Sequence, residues 1–85
     1  MEIEFSSHFI KRARRLSQED KIFLSERVGW FRSNPNDPRL KIHPLTGKLK
    51  GLFAFSIKRR KRVKFSFFDK NKTLFIDVGS HDEVY

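Results

Sequence analysis

The chain closes VGSHDEVY, residues 78–85, with His81 and a terminal Tyr85, and a second histidine, His43, precedes a proline in KIHPLTGKLKG. Imidazoles can give and take protons near neutral pH. A phenol is a poor base there unless cations lower its pKa, and the surrounding lysines and arginines would push Tyr85 that way. Those cations are concentrated. From Pro38 to Phe68 there is no acid, while Arg39, Lys41, Lys48, Lys50, Lys58, Arg59, Arg60, Lys61, Arg62 and Lys64 supply ten positive charges. Within a net charge of +9, a one-signed middle third points to a polyanion or an acidic protein partner. Three histidines scattered without matching carboxylates do not make a metal site, and neither a metal nor another cofactor is expected.

Each candidate also has a plainer explanation. His43 could hydrogen-bond its own loop, His81 could sit in a simple turn, Tyr85 could plug an apolar gap, and Arg62 could be a solvated residue on a strand face. His8 faces no recognisable partner, and Trp30 suits a core.

The elements that must position these groups follow from period. IEF, residues 3–5, suits a short first strand. Ser6 or Ser7 offers an N-cap, after which Phe9, Ile10, Ala13 and Leu16 recur at helical spacing, with Lys11, Arg12, Arg14 and Arg15 on the exposed side. Ser17 reads as a second N-cap, with Glu19 and Asp20 in the first turn where the helix dipole favours acids. Leu24, Val28 and Phe31 then form a stripe, flanked by Phe23 and Trp30. This helix must stop by Asn34, because Pro35 disfavours helical geometry before it. Residues 34–51, with three prolines and two glycines, predict a long ordered loop of the kind more often functional than idle.

Beyond the loop the period becomes two. Leu49, Gly51, Phe53, Phe55 and Ile57 alternate with Lys50, Leu52, Ala54, Ser56 and Lys58. Val63, Phe65 and Phe67 alternate with Arg62, Lys64 and Ser66, and Leu74, Ile76 and Val78 mark a third strand after the turn DKNK. The expected fold class is α+β: one compact domain over residues 1–85 in the order β-α-α-β-β-β, with a helical hairpin on one face of a twisted, mainly antiparallel sheet. Alternation would then place Ser56, Arg62, Lys64 and Ser66 on the opposite face, making it basic and unneutralised within the chain.

Size and composition are consistent with this. A chain of 85 residues buries roughly 60–65% of its unfolded surface, and ten phenylalanines contribute about 2 kcal/mol each when well buried. Without cysteine there is neither a disulfide framework nor a thiolate metal site. No apolar run approaches the ~20 residues of a membrane span, and MEIEFSSHF lacks the order of a signal peptide. A soluble, cytoplasmic protein is expected.

The loop NPNDPRLKIHPLTGKLKG, the Ser-Ile and Arg-Val-Lys-Phe strands after it, and the closing VGSHDEVY together resemble the RelE/ParE superfamily of bacterial type II toxins. Within it they are similar to the YafQ-like branch of ribosome-dependent mRNA interferases. That resemblance implies a metal-independent endoribonuclease acting in the ribosomal A site. The ribose 2′-OH attacks the adjacent phosphate, leaving a 2′,3′-cyclic phosphate and a 5′-OH. It needs a base, an acid and cations for the charge that builds on phosphate. His43 matches the family's HPL histidine, His81 the histidine of its C-terminal motif, Arg62 an arginine that contacts the scissile phosphate, and Tyr85 a C-terminal aromatic that is catalytic in some members. Lys48, Lys50, Lys58, Arg59, Arg60, Lys61 and Lys64 are the expected contacts to RNA or ribosome, because phosphate contacts position without specifying. Two positions depart from the branch: Ser56 stands where it has a strand histidine, and Arg60 where it has an aspartate.

The implied partners are ribosome, mRNA and an acidic cognate antitoxin that wraps the basic face in a hetero-oligomer, with no membrane involved. Two alternatives share the fold. One is a ParE-like inhibitor of DNA gyrase; the other is a catalytically decayed toxin that only binds antitoxin or RNA.

Overall fold

A computed structural model describes residues 1–58 and 60–85. The chain runs β1 (Glu2–Phe5), α1 (Ser7–Arg14), α2 (Gln18–Ser33), β2 (His43–Pro44), β3 (Phe53–Lys58), β4 (Lys61–Phe67), β5 (Lys72–Ser80) and α3 (His81–Val84). The five strands order as β1-β5-β4-β3-β2. β1 runs parallel to β5, and the other pairings are antiparallel. This is the α+β arrangement expected, with two short additions: strand β2 inside the long loop, and a terminal helical turn.

Local chemistry sets the helix ends. The hydroxyls of Ser6 and Ser17 accept from the backbone N–H groups of Phe9 and Asp20, satisfying donors that an uncapped first turn leaves open. Helix α2 stops at Ser33, with Asn34 in extended geometry before Pro35, as the proline demands. Leu24, Val28 and Phe31 are its buried apolar residues. Phe31 meets Phe55, Phe65, Phe67 and Phe75 with ring centroids 5.2–6.3 Å apart, so one helical side chain joins three strands. Ile10, expected in the core, is 41% exposed. It lines an apolar cleft of about 370 Å³ between α1 and α2 with Phe5, Phe9 and Leu24.

The loop over residues 34–51 is ordered by short 3-10 turns at Pro38–Leu40 and Gly47–Leu49, and Leu40 and Leu45 are buried beneath it. The turn there displaces the expected start of β3: Leu49 and Gly51 lie before the strand, and Gly51 takes a φ of +93°.

On β5 the expected apolar set Leu74, Ile76 and Val78 does not share a face. Lys64 and Phe65 of β4 pair with Asp77 and Phe75, so Ile76 is an extra residue in β5. Such a bulge reverses which side chains point inward. Thr73 and Phe75 are fully buried before it and Val78 after it, while Leu74 and Ile76 are only partly buried. The bulge is also where α1 docks, since the Ile76 carbonyl accepts from the Ser6 hydroxyl at 2.8 Å.

Candidate active site

Cross-strand register places the candidates on one face. Ser56 pairs with Arg62, and Ala54 pairs with both Lys64 and His43. Directly opposed residues share a side of the sheet, so His43, Ser56, Arg62 and Lys64 all lie away from α1 and α2. The face is not wholly open. Ala54 is fully buried, and Val84 of α3 is only 2% exposed. The C-terminal turn folds back over the strands, and the Lys64 ammonium donates to the Val84 carbonyl at 3.0 Å.

The ending is therefore an ordered part of the sheet's second face. Gly79 and Ser80 finish β5, and α3 begins at once. The Ser80 hydroxyl accepts from the Glu83 N–H at 3.3 Å, and the Glu83 carboxylate accepts from the Ser80 N–H at 2.9 Å, a reciprocal capping box. The bond from the Ser80 backbone holds the Glu83 carboxyl below its ordinary pKa, helped by Ser80's side chain and Arg12. Arg12 reaches Glu83 at 2.9 Å instead of lying on the exposed side of α1. The turn between β3 and β4 fastens the start of α3, with the Arg60 carbonyl accepting from the His81 N–H at 3.1 Å.

This brings His43, His81, Tyr85 and Arg62 together. The His43 Nε2 lies 3.1 Å from the Tyr85 hydroxyl, and its Nδ1 lies 3.3 Å from the Lys41 carbonyl oxygen. A carbonyl can only accept, so the Lys41 contact is a hydrogen bond when Nδ1 carries hydrogen, and in that neutral tautomer Nε2 accepts from the phenol. His81 packs edge-on against Tyr85, with centroids 4.3 Å apart, and its Nδ1 is 3.6 Å from Asp82. The Arg62 guanidinium donates to the carbonyls of Lys58 and Lys61 at 3.2 Å each, which stiffens a long side chain whose charge reaches Tyr85.

Tyr85 differs from expectation in one respect. Burial pushes its phenol above the ordinary value, and the Arg62 charge offsets only part of that. Desolvation of the anion wins because Lys64 is turned to the Val84 carbonyl and Arg62 to the turn. Tyr85 is thus a neutral hydrogen-bond donor at neutral pH, not a tyrosinate base.

The expected contacts to polyanion divide. Lys48, Lys50 and Arg60 are exposed, and Lys61 and Lys64 are partly buried. Lys58 is paired within the chain with Glu19, with Asp20 at 4.0 Å, so that cation of the run Lys58–Arg62 is already met by acids of the chain itself. The acids placed to cap α2 also face β3. Arg59 lies outside the described residues. His8, for which no partner was expected, has its Nε2 3.3 Å from the buried Asp77. Trp30 is partly buried and lies against Arg27 and Arg39, the latter at 3.9 Å from the ring centroid.

Sequence reasoning passed over three groups. Ser80-His-Asp-Glu83 is a legible capping pattern. Val84, the plug between strands and tail, and the Lys41 carbonyl carry no local signal. Among the described residues no cluster of His, Asp and Glu could hold a metal ion, and no helix is long and apolar enough to cross a membrane.

The two-helix layer on a mainly antiparallel sheet is a fold shared with solved structures. The chain is similar to YafQ from E. coli strain BL21(DE3), with 21% identity and a TM-score of 0.81 over 99% of this chain and 97% of that one. It is also similar to a YoeB/ParE toxin from Agrobacterium tumefaciens, at 14% identity and a TM-score of 0.80 over 95% and 99% of the two chains. A third likeness is to the toxin–antitoxin complex RelBE2 from Mycobacterium tuberculosis, at 17% identity and a TM-score of 0.77 over 94% and 96%. No protein-family model and no curated protein matches the sequence.

Proposed function

We propose that the chain is the toxin of a type II toxin–antitoxin system, an endoribonuclease that cleaves ribosome-bound mRNA in the A site. The observation that carries this reading is the convergence of His43 and His81 on Tyr85, beside Arg62 and Lys64, on one sheet face. The shared fold with YafQ and with the toxin–antitoxin complex RelBE2 supports it.

In the reaction, the lone pair on His43 Nε2 takes the proton of the ribose 2′-OH as that oxygen attacks phosphorus. Arg62 and Lys64 offset the charge that builds on the non-bridging oxygens. Protonated His81 supplies a proton to the departing 5′-oxygen, so the products are a 2′,3′-cyclic phosphate and a 5′-OH. One proton is taken up and one released, and side chains alone complete the step. Tyr85 remains a phenol. Its hydroxyl occupies the hydrogen-bonding position at Nε2 that the 2′-OH would take, and its ring supports His81.

Lys48, Lys50, Arg60 and Lys61 extend the basic surface toward RNA, which gives binding a steep salt dependence. Lys58, held by Glu19, contributes less. An acidic antitoxin covering this face would supply opposite charge and close the site. These partners place the protein in the cytoplasm.

The test is primer extension on a defined mRNA in a purified translation system, comparing wild type with His81→Ala. New 5′ ends inside the A-site codon, dependent on ribosomes and lost in the variant, are the expected result. Intact mRNA with folded wild-type protein would sink this reading. Arrest of DNA synthesis with translation continuing would then indicate gyrase as the target.

A further inference from the structure

The long loop contains a feature the chemistry above does not use. Lys41 is the one non-glycine residue with positive φ among the described residues, at φ 53° and ψ 45°. L-residues with a Cβ avoid this left-handed region, and lysine has no side-chain group that favours it as asparagine does. Surrounding contacts enforce it. The 3-10 turn before it is anchored by Leu40, which is 1% exposed, by Arg39 stacked on Trp30, and by the Asp37–Arg39 ion pair at 2.7 Å. On the other side, His43 is fixed to Ala54 in the β2–β3 pairing. Between these anchors the Lys41 N–H donates to the Pro38 carbonyl at 3.2 Å, and the Lys41 carbonyl faces His43 Nδ1. Strain held in place by its neighbours commonly sits where geometry matters.

We propose that Lys41 is a positioning residue of the site, whose left-handed backbone aims its carbonyl oxygen at His43 Nδ1 and thereby fixes the imidazole with hydrogen on Nδ1 and the lone pair on Nε2. The Nε2 lone pair is the one that meets Tyr85 and, in the reaction proposed above, the 2′-OH. With hydrogen on Nε2 instead, the ring would present a donor where a proton must be accepted. The role belongs to the backbone conformation, not to the ammonium group. Its catalytic consequence rests on the ribonuclease reading; its structural content does not.

Two measurements separate the two. Long-range ¹H–¹⁵N correlation of the full chain, at a pH high enough for neutral imidazole, reports which His43 nitrogen carries hydrogen. Wild type is expected to show hydrogen on Nδ1. Lys41→Gly, which adopts positive φ freely, keeps that tautomer and keeps cleavage within about twofold. Lys41→Val, whose branched Cβ opposes positive φ, gives a tautomer mixture and lowers cleavage by roughly one to three orders of magnitude. Should Lys41→Val fail to fold, Lys41→Asn serves beside Lys41→Gly, since both tolerate the left-handed region and both are expected to retain the wild-type tautomer.

Hydrogen on Nε2 in the wild type would overturn the proposal whether or not the protein cleaves RNA. So would loss of the tautomer or of cleavage in Lys41→Gly, which would assign the role to the lysine side chain. A protein that shows the expected tautomers but no cleavage would leave the positioning role standing and remove the ribonuclease reading instead.

Discussion

The same strands make two very different surfaces. Toward α1 and α2, Phe55, Ile57, Val63, Phe65, Phe75 and Val78 are at most 1% exposed and join one apolar cluster with Phe9, Leu24, Val28 and Phe31 of the helices. Toward α3, Ser56, Arg62 and Lys64 are partly buried; Arg62 is held by the carbonyls of Lys58 and Lys61 at the facing ends of β3 and β4, and Lys64 by the Val84 carbonyl. One face is fixed by packing without direction, the other by directed bonds to a few backbone oxygens. Period-two alternation lets a small chain keep stability and site chemistry one residue apart, and a single register slip would exchange them.

If that division holds, substitutions on the two faces should fail in different measurements. Phe31→Ala removes the ring that joins three strands and should cost about 3–5 kcal/mol, read as a fall in Tm of more than about 12 °C. A small fall would mean that the phenylalanine cluster repacks around the cavity. Arg62→Ala should do the reverse. Cleavage is expected to drop about 10²- to 10³-fold while chemical denaturation shifts by no more than about 1 kcal/mol. Equal losses in both measurements would show that the two faces are coupled and that Arg62 is part of the fold.

The C-terminal turn sharpens the comparison, because it is where the directed face is closed. Ser80→Ala breaks the capping box at a cost of about 1 kcal/mol. The loss should be local, with faster amide exchange at Tyr85, whose N–H bonds the His81 carbonyl, and a nearly unchanged global Tm. Uniformly faster exchange would mean that α3 unfolds only with the whole chain.

The smallest effect concerns Tyr85, the only tyrosine. Its pKa is raised in the folded chain by burial, so folding favours the protonated phenol. That contribution is fully present below the unfolded value and is lost as pH rises through the folded one. Tyrosinate absorbance should therefore appear at higher pH in folded than in denatured protein. A titration below the denatured value would restore Tyr85 as a base and make the Arg62 charge the stronger influence.

Much of this was legible along the chain. Ser6, Ser17 and Pro35 act on their immediate neighbours, so the helix ends could be read locally. Leu24, Val28 and Phe31 follow helical period, and Phe53 to Phe67 follow strand period, because a repeating backbone geometry turns spacing into a face. The chemistry of His43, Arg62, His81 and Tyr85 was legible as residue types, without their mutual distances.

The rest depends on pairs far apart in sequence, for which short-range period has no signal. The bulge at Ile76 shows only in the pairing of β4 with β5 and in the bond from Ser6, seventy residues away. Glu19 and Asp20 suit a helix N-terminus in any context, yet only the fold sets them against Lys58. Lys41 takes left-handed geometry between two anchored neighbours, Arg39 and Leu40 held against Trp30 and the core on one side and His43 paired with Ala54 on the other. Tyr85 stays a phenol because the tertiary fold partly desolvates its hydroxyl and turns the nearby cations to carbonyls. Residue type and local spacing determined the elements and the available chemistry. Long-range packing decided which charges are free, which way a ring faces, and which group holds a proton.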